Sequence, residues 1–158
     1  MITLDIPQTW AFVSHVRETI SDYLPNRIDP EIREATIMAA SELTENTIKF
    51  GYANPNDDSS GEPPLMNVEL TDEMIRIVIS SNASLGNLDS VKHIINELKI
   101  AENIEVLYLN RLQEIMENPS QSSSRLGLIR IVHEAKFALD YNIVGNQLKI
   151  IATRSLPG

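Results

Sequence analysis

The chain has 158 residues, 42% of them hydrophobic and 22% charged, which fits one globular domain with a core of useful size. Thirteen basic against twenty-two acidic residues leave a net charge of −9, and this argues against nucleic acid or an anionic membrane as partner, since phosphate would be repelled. Absence of cysteine removes disulfides, thiolate metal sites and cysteine nucleophiles, and with no signal-peptide pattern and no apolar run near the ~20 residues of a membrane span the expected location is the cytoplasm.

Residues 2 to 6 read as a short strand. From about Gln8 to Leu24, Trp10, Val13, Val16, Ile20 and Leu24 recur at helical spacing. "RIDPEIREA" then sets up a helix start, with Asp29 as N-cap, Pro30 in the first position and Glu31 at the positive end of the dipole. This second helix is expected to reach about Phe50, burying Ile32, Ala35, Ala39 and Leu43, with Gly51 as its stop.

"ANPNDDSSGEPP", residues 53 to 64, is a loop rich in turn formers and acidic residues. Two alternating strands follow. Met66, Val68 and Leu70 point one way in the first, and Ile75, Ile77 and Ile79 in the second, with a turn at Thr71, Asp72 and Glu73. Residues 88 to 117 read as two helices broken near Lys99 to Ala101, the later one striped by Ile104, Leu107, Leu112 and Ile115. "NPSQSSS" at 118 to 124 is a second loop, whose serines cap a helix from about Arg125 to Lys136. Two last strands, Phe137 to Val144 and Gln147 to Thr153, meet at Gly145-Asn146, a two-residue hairpin signal. The order predicts an α+β fold in a single domain over 1–158, with helices on one face of a mostly antiparallel sheet.

Within the second helix, "SELTENTIKFG" (41 to 51) puts Glu42, Asn46 and Lys49 on one stripe, about a turn apart. A carboxamide oxygen can share a Mg²⁺ shell with phosphates and water, a carboxylate one turn earlier can take a proton, and lysine can reach phosphate as a point charge. The same spacing also suits a solvated surface, with Glu45 and Lys49 as an i,i+4 pair worth ~0.2–0.5 kcal/mol.

"AASELTENTIKFGY" resembles the N-box of the GHKL (histidine-kinase-like) ATPase superfamily, in which Glu-x-x-x-Asn precedes a basic and an aromatic residue; the anti-sigma-factor serine kinases are the branch nearest in pattern. The resemblance implies a two-layer α/β sandwich of the GHKL type, with Asn46 as Mg²⁺ ligand, Glu42 as general base and Lys49 near the phosphates of ATP. "SRLGLIRIVHEA" looks like the family's later glycine motif, so Gly127 and Arg125 are expected at the phosphates as well.

The departures fall in two places. Where the family has Asp-x-Gly-x-Gly to read adenine, this chain has "ISSNASLGN", so Ser81 or Asn82 stands for the aspartate, Ala83 for the first glycine, and Gly86 is left as a candidate nucleotide contact. A neutral amide lacks the charge-assisted strength of a carboxylate. Arg125 also replaces a glycine that would let backbone N–H groups approach phosphate. Between these motifs, where the family has a flexible lid, about 40 residues read as helical, a combination similar to the divergent SiaB-like members of bacterial partner-switching systems.

Two functions follow from the resemblance. One is a regulator of the anti-sigma or partner-switching type whose nucleotide site is degenerate, with ATP and Mg²⁺ bound weakly or lost, and which acts by binding a STAS-like antagonist or a sigma-like regulator, as monomer or homodimer. The alternative is an active ATP- and Mg²⁺-dependent serine/threonine kinase acting on a STAS-domain antagonist. Glu42 and Asn46 favour the kinase; the altered second and third motifs favour the regulator. Elsewhere, His15, His93 and His133 show no ligand spacing, and Trp10, Phe137 and Tyr141 are expected in the core.

Overall fold

The computed structural model of the chain describes residues 1–50, 63–118 and 126–157. Its elements are β1 (Ile2–Asp5), α1 (Phe12–Tyr23), α2 (Pro30–Phe50), β2 (Leu65–Leu70), β3 (Met74–Asn82), α3 (Leu85–Ile100), α4 (Ile104–Glu117), α5 (Leu126–His133), β4 (Ala138–Val144) and β5 (Gln147–Ser155). The sheet has five strands in the order β1-β2-β3-β5-β4, and every neighbouring pair is antiparallel. The fold is therefore α+β, as expected, with a wholly antiparallel sheet in place of a mostly antiparallel one.

Register places the apolar alternation of each strand on one face. Met66 lies opposite Ile79, which lies opposite Ile150; Val68, Ile77 and Ala152 form the next row. These six side chains are 0–2% exposed, whereas Asn67, Arg76, Val78 and Thr153, on the other face, are half-buried. Helices cover the first face. The hairpin turn before β5 needs a positive φ at Gly145 (60°), which glycine adopts without steric cost.

α2 is the central helix. Its start is set as the sequence implies: Asp29 Oδ1 accepts the Glu31 N–H at 2.8 Å. Ile32, Ala35, Ala39 and Leu43 are all buried, but so are Thr36, Ser41, Thr44 and Thr47. Each of those four hydroxyls donates to the carbonyl four residues back, at 2.7 to 2.8 Å, so burial leaves no polar group unsatisfied. Arg33 reaches from α2 to the carbonyls of Ser21, Leu24 and Pro25 (2.6, 2.9 and 2.8 Å), supplying the cation that the last turn of α1 lacks.

α1 begins at Phe12, four residues later than its apolar spacing predicts. Residues 7 to 11 form a tight turn, in which Phe12 N–H donates to Thr9 O and Val13 N–H to Trp10 O. Trp10 is consequently 59% exposed, which corrects its expected place in the core; Phe137 is buried and Tyr141 half-buried. The break between the middle helices falls at 101–103, two residues later than expected, because the Asn103 side chain caps α4 through the Val106 N–H. α5 ends at His133 rather than Lys136. The 53–64 loop lies mostly, and the serines at 122 to 124 wholly, outside the described residues, as do Gly51 and Arg125.

Candidate functional site

α2 and α5 pack side by side, and the contact is organised around Glu42. A Cβ built on Gly127 would collide with Oε2 of Glu42, so a glycine is what lets this carboxylate lie against α5. One turn along the same face of α5, Arg130 Nη1 donates to Glu42 Oε1 at 2.8 Å. Arg130 also bonds Glu134 through Nε (3.4 Å) and Nη2 (3.3 Å), forming a carboxylate–guanidinium–carboxylate chain. Burial pushes the Glu42 carboxyl above the ordinary glutamate range; the Arg130 charge pulls it back, and Glu45 and Glu134 push it up again. Arg130 in turn holds its proton more tightly than usual, first through its hydrogen bond to Glu134.

Two spaces adjoin this cluster and a third lies beyond Asn46. A cavity of about 200 Å³ brings together Glu42, Asn46, Lys49 and Gly127, with Glu45, Leu126 and the rings of Trp10 and Phe50. Lys49 is exposed, its Nζ 5.1 Å from the Phe50 ring centroid. On the other side of Glu42, a groove of about 500 Å³ runs between α1, α2 and α5, lined on its polar side by Glu31, Glu34, Glu45, Glu134, Arg17 and Arg130. Ser41 lies at its wall, accepting a hydrogen bond from Arg17 Nη1 at 3.0 Å.

The third space is small. Between Asn46, Ser81, Ala83, Asn87 and Leu148 about 10 Å³ is open. Ser81 is buried and faces α2, whereas Asn82, the next residue of the strand, lies on the opposite face of the sheet by alternation. Asn87 closes the space from above: its Nδ2 donates to the Phe50 carbonyl at 2.8 Å, and its N–H to Ser84 Oγ at 3.3 Å. Gly86 is exposed in the first turn of α3 and a Cβ there would meet nothing within 4 Å.

Of the residues predicted for the site, then, Glu42, Asn46, Lys49 and Gly127 share one cavity, Ser81 joins Asn46 in the small space, and Asn82 and Gly86 line none of the three. Arg125 lies outside the described residues. Sequence reasoning missed Arg130, Asn87 and Trp10. Arg130 had a signal, three residues after Gly127 and four before Glu134, the spacing of one side of the helix expected over 125–136. His15, His93 and His133 lie on α1, α3 and α5; His93 pairs with Glu97 at 2.8 Å and His133 stacks on Tyr108. Among the described residues no group of three or more His, Cys, Asp or Glu could hold a metal, and no helix is long and apolar enough to cross a membrane.

The fold is similar to that of a chain in the SiaB–SiaC complex from Pseudomonas aeruginosa, with a TM-score of 0.63, 9% identity, and coverage of 99% of this chain and 90% of that one. Identity so low makes this a likeness of fold. No protein-family model matches the chain, and no curated protein matches it in sequence.

Proposed function

We propose that the chain is a bacterial regulator of the partner-switching type, built on a GHKL-like sandwich, that acts by binding another protein and no longer works with a nucleotide. The observation that carries this reading is the space beside Ser81. The GHKL resemblance assigns adenine to this place, and the space that the described residues enclose there is about 10 Å³, roughly one water's worth. So small a space among the described residues supports a site that has lost the base, and Asn87, which lines it, donates to the Phe50 carbonyl. Glu42 supports the same reading. Arg130 donates to its Oε1 and so engages one oxygen of the carboxylate that the resemblance would make a general base.

Two further features support protein binding. A solved structure of similar fold is itself a complex of two proteins. In place of a lid, α3 and α4 supply fixed helices, and α4 keeps Val106, Leu109 and Met116 between 51% and 81% exposed. The partner class we assign is a small STAS-like antagonist. The kinase alternative is favoured by one observation, the meeting of Glu42, Asn46, Lys49 and Gly127 around a single cavity. The two are separated by mixing the purified protein with the STAS-domain proteins of its own organism. The regulator reading predicts a stable complex without ATP and no phosphate transfer with it; transfer of labelled phosphate to a serine or threonine of the partner would contradict it.

A further inference from the structure

Trp10 is the only exposed aromatic side chain among the described residues, and it is the only tryptophan of the chain. Its backbone is held in the turn before α1 by the Val13 N–H, so the ring is carried on a fixed mount at the edge of a concave space. The aromatic residues Trp10 and Phe50 line the 200 Å³ cavity together with the carboxylate residues Glu42 and Glu45. A ring face and a carboxylate attract the same kind of group, a planar or compact organic cation. Phe50 already has one beside it, the Lys49 ammonium at 5.1 Å. Glu42 and Glu45 are common to this cavity and the larger groove, and the two spaces together are lined by five carboxylates (Glu31, Glu34, Glu42, Glu45, Glu134) against three cations.

We propose that this cavity is the docking site for a basic segment of the protein partner, with an arginine or lysine side chain of that segment inserted between Trp10 and Glu45. The proposal rests on the protein-binding reading above and adds the surface and the chemistry of what it recognises. Charge selects the occupant. A second copy of this chain, at a net charge of −9, would bring like charge to the groove, whereas a basic segment meets complementary charge along its length. The exposed indole supplies the anchor, since a tryptophan beside a concave pocket is the residue type in which binding energy concentrates.

The single tryptophan makes the site its own reporter. Emission from Trp10 is followed while the purified full chain is titrated with an oligo-arginine peptide, an oligo-glutamate peptide or Mg-ATP, and affinities of variants are read by calorimetry. The arginine peptide is expected to shift the emission along a saturating curve that weakens with added salt. Trp10→Leu and Glu45→Gln should each reduce its affinity, by roughly five- to thirtyfold, the range of a partly desolvated cation–π contact or one charge-assisted bond. Glu105→Gln, on α4 and away from both cavities, should change it little. The proposal is overturned if the arginine peptide leaves Trp10 unmoved, if Trp10→Leu binds as well as the parent, or if all three variants weaken binding equally, which is diffuse attraction. It is also overturned if Mg-ATP, and not the peptide, moves the emission. A STAS-domain complex formed in the absence of any peptide response would remove this site and leave the partner-binding reading intact.

Discussion

Gly127 lies where α5 meets the Glu42 side chain of α2. The glycine motif marks it as a place where something must come close. In the structure that neighbour is the Glu42 carboxylate. Alanine at 127 would improve helix propensity by roughly 0.8–1 kcal/mol but would drive the flexible carboxylate off its Arg130 bond, which is worth about as much. Gly127→Ala is therefore expected to change stability by less than ~0.5 kcal/mol in the parent chain and to stabilise a Glu42→Ala background by about 1 kcal/mol. Urea denaturation of the four proteins measures the coupling. Equal effects in both backgrounds would show that the glycine does not serve Glu42. The pairing of Glu42 with Arg130 spans 88 positions, so no local pattern announces it. What was legible was the α2 stripe of Glu42, Asn46 and Lys49, because three of its members sit within two turns of one helix.

Elements were most legible where the determining interactions are local. α2 and the two hairpins are set by an aspartate cap, a Gly-Asn turn and strict alternation, each visible within a few residues. The start of α1 is not legible because Trp10 fits the apolar period, while the turn that exposes it depends on the carbonyls of Pro7, Thr9 and Trp10 accepting from the N–H groups of Thr9, Phe12 and Val13. α4 was legible as a helix but its burial was not. Its stripe of Ile104, Leu107, Leu112 and Ile115 is only half-buried, and no residue of α4 is fully buried. Burial depends on how much of α5 it covers, and α5 buries Leu128, Ile129 and Ile131 beneath it. Leu109→Glu and Met116→Glu should accordingly alter the unfolding free energy by less than ~0.5 kcal/mol, against about 2–5 kcal/mol for Leu128→Ala. A charged residue at 109 that costs as much as the α5 truncation would mean that this flank of α4 is covered in the isolated protein.

At the scale of the whole molecule, strand order is the feature least available to local reading, since β3 pairs with β5 across more than sixty positions to put Ser81 opposite Leu148. That pairing helps to form the wall of the small space beside Asn46, and the described residues there, Asn87 among them, enclose about 10 Å³. The surroundings are also unfavourable to a polyanion. The chain carries a net charge of −9, and carboxylates outnumber cations along both larger spaces. At the adenine amine, a neutral contact contributes ~1 kcal/mol where a charged one contributes on the order of 1.5–3 kcal/mol, a loss of roughly tenfold in affinity before the cost of opening the space is added. Calorimetric titration of the purified protein with Mg-ATP tests the account most directly. It predicts no saturable heat at micromolar nucleotide; a sub-micromolar, stoichiometric affinity for Mg-ATP would contradict it.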